Sequence, residues 1–449
     1  MKKTMAYSMV SLLLVTSLAA CGSNNESANN DKDAAANANS NTTANGGTNG
    51  SAPANEGSAD AGGDADISGK VVFLTNRTDM VDKEYKDYET RFEAKYPKVD
   101  LQFEAITDYD KNEKIRIASG SFPDVVLLST LIPNAEFPKY FEPLDDITFE
   151  GDIYFKDFKS FEGKSYGISS GNSTVGIVYN KKAFEKAGIT AIPKTYDEFL
   201  AAAQKLKDAG IVPLASNFKD KWPLGAWYND VPAIISGKAD TANNRKDTDT
   251  PFTLDNTYGK SFSIIKELYA KGFLEKDVNS TNWEQSKKDV AQGKFGMYLL
   301  GNWVINQVVD AGAKTEDVGF FPFPADNSGQ AKAPLNPDWF YGVNKDGNVP
   351  AAKAFIKWMI EESGYDDFAG FIPTLKSKEP KLAQLTEFNG YKPTFVEALP
   401  TDDTALSIQN KAQIDMDGLV QEFVLAKDPQ KVLDKVNGQW AKARKEIVK

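Results

Sequence analysis

Apolar residues are spread unevenly along the chain. Residues 22–66 contain no Val, Ile, Leu, Met, Phe, Tyr or Trp, and from Ile67 onward apolar residues return in regular patterns. Val71-Val72-Phe73-Leu74 is a compact apolar run of the kind a buried strand needs. Tyr85, Tyr88, Phe92 and Tyr96 recur at spacings of three and four, which predicts a helix ended by Pro97. Val99, Leu101, Phe103 and Ala105 alternate as a second strand, and residues 124–128 give a third. Strand, helix and strand with continuous apolar strands predict an α/β fold with a parallel sheet covered on both faces. Further on, Thr195-Tyr196-Asp197-Glu198 is a capping box, Phe199, Ala203 and Leu206 form the inner stripe of its helix, and Gly210 ends it. A strand is expected at residues 295–300 and a helix at 351–360. The last helix opens at Asp428-Pro429, with Val432, Val436, Trp440 and Ile447 on its buried side.

The amino terminus has a different logic. Lys2 and Lys3 precede a mostly apolar stretch from Met5 to Ala20, the layout of a secretory signal and short for a membrane span. Residues 22–66 are Asn, Ala, Gly, Ser, Thr and Asp in the main. Nothing there offsets the entropy of ordering, so this stretch is expected to be a disordered linker.

Composition narrows the chemistry. At 449 residues the chain exceeds what one hydrophobic core usually serves, so two lobes are expected. It has no histidine, which removes Ser-His-Asp and Cys-His nucleophile systems and imidazole zinc sites. One cysteine, Cys21, leaves no intrachain disulfide or iron–sulfur cluster. A net charge of −11 repels phosphate backbones and argues against nucleic acid. No cofactor is expected.

Leu18-Ala19-Ala20-Cys21 resembles the lipobox of bacterial lipoproteins. That resemblance implies a signal peptide at 1–20 and lipid on Cys21. It places the protein on the outer face of a cell membrane, held by acyl chains alone. Three further segments resemble the extracellular solute-binding proteins of ABC importers, in the carbohydrate-binding, maltose-binding-protein-like group. They are Phe92 to Pro97 leading to Ala118-Ser119-Gly120-Ser121-Phe122-Pro123-Asp124-Val125; Gly176 to Phe184 leading to Pro193-Lys194-Thr195; and Gly293 to Met297 with Gly301-Asn302-Trp303. The resemblance implies a two-lobe, type II periplasmic-binding-protein fold with a ligand cleft and hinge crossings. One lobe would take 67–172 with 316–371, the other 173–315 with 372–449. It also implies a sugar or oligosaccharide as solute, ABC permease subunits as partners and a monomeric state. Leu128 and Ser129 stand where the maltose-binding branch has an aromatic, so its full stacking set does not carry over.

A sugar needs flat aromatic faces and rim-side hydrogen-bond partners. Open α/β sheets bind ligands beyond the carboxyl ends of their strands. Trp303 falls on the family's stacking Trp. Trp222 and Trp227 follow residues 213–217, near where relatives place ligand aromatics, Trp339 lies in an irregular stretch before an expected strand at 340–343, and Trp283 is left outside this set. Arg77 and Asp79 follow the first strand, Asn172 lies at the expected crossing between lobes, and Asp338 precedes Trp339 in the same irregular stretch. Trp358 and Trp440 sit on amphipathic helices as core. The adjacent acids Asp145-Asp146 and Asp402-Asp403 are expected to be solvated or capping. Two other functions are weighed: the same fold binding a polyamine or peptide, and an extracellular glycosidase using a carboxylate pair.

Overall fold

The computed structural model describes residues 67–448; the expected signal (1–20), Cys21 and the linker (21–66) lie outside the described residues. Strand β1 (Gly69–Thr75) buries Val71, Phe73 and Leu74 and pairs in parallel with β2 (Val99–Ala105) and β3 (Val125–Leu127). The helix Glu84–Lys95 lays Tyr85, Tyr88 and Phe92 inward, as the spacing predicts. A small ribbon follows, β4 (Ser160–Phe161) with β5 (Lys164–Ser165), and then β6 (Ile168–Ser169).

The chain next crosses to a second sheet. Strand β7 (Asn172–Asn180) is buried along its whole length and forms the middle of that sheet. Strands β8 (Val212–Ala215), β9 (Phe295–Gly301), β10 (Val318–Phe321) and β11 (Lys332–Pro337) join it. Then β12 (Phe340–Val343) returns to the first sheet, and β13 (Thr394–Glu397) closes the second. The orders are β2-β1-β3-β12-β6 and β13-β11-β7-β9-β8, with β10 also on β7. The Thr195 capping box forms as expected, with Glu198 reaching back to the Thr195 amide.

Three expectations need correction. The first sheet is mixed, not wholly parallel: β12 runs antiparallel to β3 and β6 because the chain re-enters from the opposite lobe. Residues 318–337, expected with the first lobe, hydrogen-bond into the second sheet. Strand β7 is nine residues long, so one edge takes β10 along 177–180 and β11 along 172–174. Ile447, expected on the buried side of the last helix, is exposed, because that helix outruns the core after Ala443.

Each sheet has its own core. The first gathers Phe73, Phe92, Phe355 and Trp358; the second gathers Phe199, Phe262, Leu299 and Phe423. Three strands of backbone run between them, at 169–174, 336–339 and 370–373. Ser170 N–H donates to Trp339 O (2.7 Å), Asp338 N–H to Gly171 O (2.8 Å) and Asn172 N–H to Ile372 O (2.8 Å). Gly171 lies flat against the Phe371 ring, where a Cβ has no room. The buried Asn302 side chain sutures two crossings: its Oδ1 accepts from Thr174 N–H (2.7 Å) and its Nδ2 donates to Gly370 O (2.6 Å). Among the described residues, no helix is long and apolar enough to cross a membrane.

Candidate functional site

Strands β8 and β9 are parallel, so their carboxyl ends open on the same side. Trp222 stands on the short 3-10 turn Trp222–Gly225 after β8, and Trp303 follows β9 directly. Trp283 opens the helix Trp283–Ala291, capped by the Asn282 side chain accepting from Gln285 N–H (2.9 Å). The three indoles converge. Trp222 and Trp283 meet edge to face at 4.9 Å between centroids, and Trp303 lies 5.9 Å from Trp222 and 5.8 Å from Trp283. The Asp220 carboxylate accepts the Trp283 backbone N–H, which ties the Trp222 loop to that helix. Gly301 has to be glycine, because a Cβ there would run into the Trp303 indole nitrogen. One turn past Trp283, the Lys287 ammonium sits 4.8 Å from the Trp283 ring centroid and pairs with Glu284 at 2.9 Å.

The floor beneath these rings is polar and built. The Tyr298 hydroxyl bonds Asn217 Oδ1, and Asn217 adopts a left-handed backbone (φ +57°). Buried Glu275 holds that turn, accepting from Ser216 N–H, Ser216 Oγ and Asn217 N–H. A left-handed non-glycine residue fixed by a buried carboxylate is strain of the kind found at functional sites.

The first lobe supplies charge instead of rings. Past the end of β1, the Arg77 guanidinium forks onto Asp79 at 2.9 and 2.8 Å and lies 5.8 Å from the Phe368 ring centroid. Burial opposes the Arg77 charge, yet Asp79 and the field of Tyr365 hold its pKa above the usual value. Burial likewise opposes the Asp79 charge, but Arg77 holds its carboxyl below the ordinary range. Lys287 of the second lobe adds to that lowering, so the two sides share one electrostatic field. Asp338 ends the second crossing and accepts from Ser170 Oγ at 3.2 Å. Burial raises its pKa to about 6, against the Trp339 amide, Ser170 and Arg77.

The expected residues fall into two groups. Trp303, Trp222, Arg77, Asp79 and Asp338 line this region, and Trp339 lies at its edge, edge-on to Tyr109 at 5.2 Å. Two do not reach it. Trp227 is a core side chain, 3% exposed and edge-on to Phe323, because the helix Ala226–Ser236 turns that face inward. Asn172 is fully buried and serves the hinge: its Nδ2 donates to Pro373 O at 2.9 Å. Three residues were missed. Trp283 carried a signal in its Asn282 cap, and Lys287 in its i+4 spacing from Trp283. Tyr365 carried none. Among the described residues, no group of three or more His, Cys, Asp or Glu side chains is placed to hold a metal ion. What the site offers is flat apolar plates beside fixed donors and acceptors. That combination recognises a ring with C–H faces and a hydroxyl rim.

Comparison with known proteins agrees with this chemistry. A multiple sugar-binding protein of Streptococcus mutans is 24% identical over 305 residues, covering 64% of this chain and 70% of that one. A solved ABC-transporter binding protein from Bifidobacterium animalis subsp. lactis, in complex with mannobiose, is 28% identical. It superposes with a TM-score of 0.75 and covers 85% of this chain and 96% of its own. A manno-oligosaccharide specific solute-binding protein from the same organism, in complex with mannotriose, is 26% identical with a TM-score of 0.74 and the same coverage. The model of the bacterial extracellular solute-binding proteins matches residues 75–366, and the chain belongs to that family.

Proposed function

We propose that this protein captures a short oligosaccharide between its lobes and delivers it, unaltered, to an ABC importer. The observation that carries this reading is the meeting of Trp222, Trp283 and Trp303 at the carboxyl ends of β8 and β9, in the field of the Arg77–Asp79 fork. A pyranose stacks on the indoles. The fork, with Asp338 behind it, takes the hydroxyl rim. The two relatives solved with mannobiose and mannotriose make manno-oligosaccharides the first solutes to try.

In this reading the lobes are 67–172 with 340–371, and 173–337 with the helices after 372. Solute contacts on both favour a closed form, and the permease reads that form. In the same reading Cys21 carries the lipid that holds the protein at a membrane. Calorimetric titration with mannobiose, mannotriose, diacetylchitobiose and raffinose tests the proposal. Saturable binding of at least one supports it, and heat-silent mixing with all four, alongside unchanged thermal midpoints, overturns it.

A further inference from the structure

The lobes touch at a place that holds none of the solute-facing side chains. The helix Asp403–Ala412 belongs to the second lobe by packing: its Ile408 sits against Trp440 and Ala443 of the last helix. Its start is pinned there as well. Asp402 caps it at Ala405 N–H (2.9 Å), pairs with Lys246, and donates its own N–H to Asn243 Oδ1 (2.9 Å). Yet the next side chain reaches into the first lobe. The Asp403 carboxylate accepts from Asn134 N–H and from Ala135 N–H, both at 2.9 Å. Two turns on, Asn410 Nδ2 donates to Leu131 O at 3.1 Å.

The receiving turn is equally fixed. Its neighbours Ile132 and Phe137 lie in the first core, and Asn134 Nδ2 is tied to Phe158 O and Ser160 O at 3.1 and 3.2 Å. The buried Lys159 ammonium of the first lobe lies in the field of Asp403, a favourable charge across the same gap. The turn follows the carboxyl end of β3, on the side where the Arg77–Asp79 loop leaves β1. It therefore stands on the cleft rim, not behind the hinge.

We propose that Asp403 and Asn410 are positioning residues for solute capture, forming a latch that favours the closed lobes without touching the solute. The inference rests on the closure reading above, but not on the identity of the sugar. Both halves are held in place on their own lobes, so the bonds depend only on how the lobes stand. A protein whose competent form is partly populated binds more weakly by that fraction. Losing two hydrogen bonds to a carboxylate should weaken solute binding by about tenfold.

Nitroxide labels at Lys111→Cys and Lys442→Cys in the full Cys21→Ser chain report the lobe separation by electron paramagnetic distance measurement. Asp403→Ala and Asn410→Ala should lengthen the ligand-free distance, and Asp403→Asn, which keeps one acceptor, should do so less. Saturating mannotriose should restore the short distance in each, at higher sugar concentration than the parent needs. Asn410→Ala leaves the helix cap intact and guards against a folding defect in Asp403→Ala. If the parent binds none of the sugars but the variants lengthen the ligand-free distance, the latch stands and the solute assignment falls. If the ligand-free distances do not change, the latch is overturned whatever the protein binds.

Discussion

The two walls of the cleft use opposite chemistry. The second-lobe wall is three indoles over a polar floor, carried by loops and a helix end after parallel strands. The first-lobe wall is an arginine–aspartate fork with a raised-pKa aspartate behind it. Rings grip a sugar face over a large area and tolerate small errors in placement, while a planar fork accepts few hydroxyl arrangements. Under the proposed function, the difference would assign affinity mainly to the second lobe and discrimination mainly to the first.

The sharpest way to break that contrast is to remove the central plate. Trp303→Ala should weaken oligosaccharide binding about 30-fold, on the order of 2 kcal/mol, by calorimetric titration. Gly301→Ala should do nearly as much, because the added methyl displaces the same indole. An unaltered affinity in either would remove Trp303 from the site. On the other wall, Arg77→Lys keeps the charge and loses the fork. It should cost about fivefold in affinity and narrow the ratio between sugars that differ at one hydroxyl. A uniform loss across sugars would contradict the division of labour.

Carboxyls with shifted pKa values set how the stability of the fold responds to pH. Burial pushes Asp338 and Asp417 up to about 6, Asp230 to about 7 and Glu113 to about 9. Unfolded carboxyls release their protons near pH 4, so the folded chain holds more protons above that point. Stability then falls as pH rises from about 4 to about 9. Asp79, Asp326 and Asp402 are held below their ordinary value and contribute stability that is lost as pH drops through their lowered range. The thermal midpoint should therefore peak near about pH 4 and decline by several degrees toward pH 8.5. Glu113→Gln should flatten the alkaline end of that decline, and an upward slope there would refute the assignment. The smallest effect on binding belongs to Trp227→Phe. It should leave affinity unchanged and lower stability by about 1–2 kcal/mol in denaturant titration, as a core side chain does.

Much of this was legible before the fold was known. Compact apolar runs give β1 and β3, the three-four spacing of Tyr85, Tyr88 and Phe92 gives a helix, and the Thr195 box gives a cap that forms as read. Arg77 and Asp79 could be placed past β1 because local sequence marks a strand end, while Trp303 and Trp222 were singled out by the family resemblance, and the structure brings all four to one region. What failed was non-local. Trp227 and Trp222 are five residues apart in similar surroundings, and only the inward turn of one helix separates core from cleft. Asn172 looks like any turn residue until the Pro373 carbonyl arrives to accept its hydrogen bond. Strands β10 and β11 were assigned to the wrong sheet because edge pairing with β7 leaves no mark in either segment.

The late return of β12 has a kinetic consequence. The second edge of β3 finds its partner only at Gly342, and β6 closes onto Tyr341, so the first sheet is incomplete until β7 to β11 of the second sheet have been made. A ribosome that has finished residues 67–172 has produced strands with an open edge and apolar faces awaiting the helix Val349–Glu361. Such long-range closure slows folding and leaves that edge and those faces uncovered for longer.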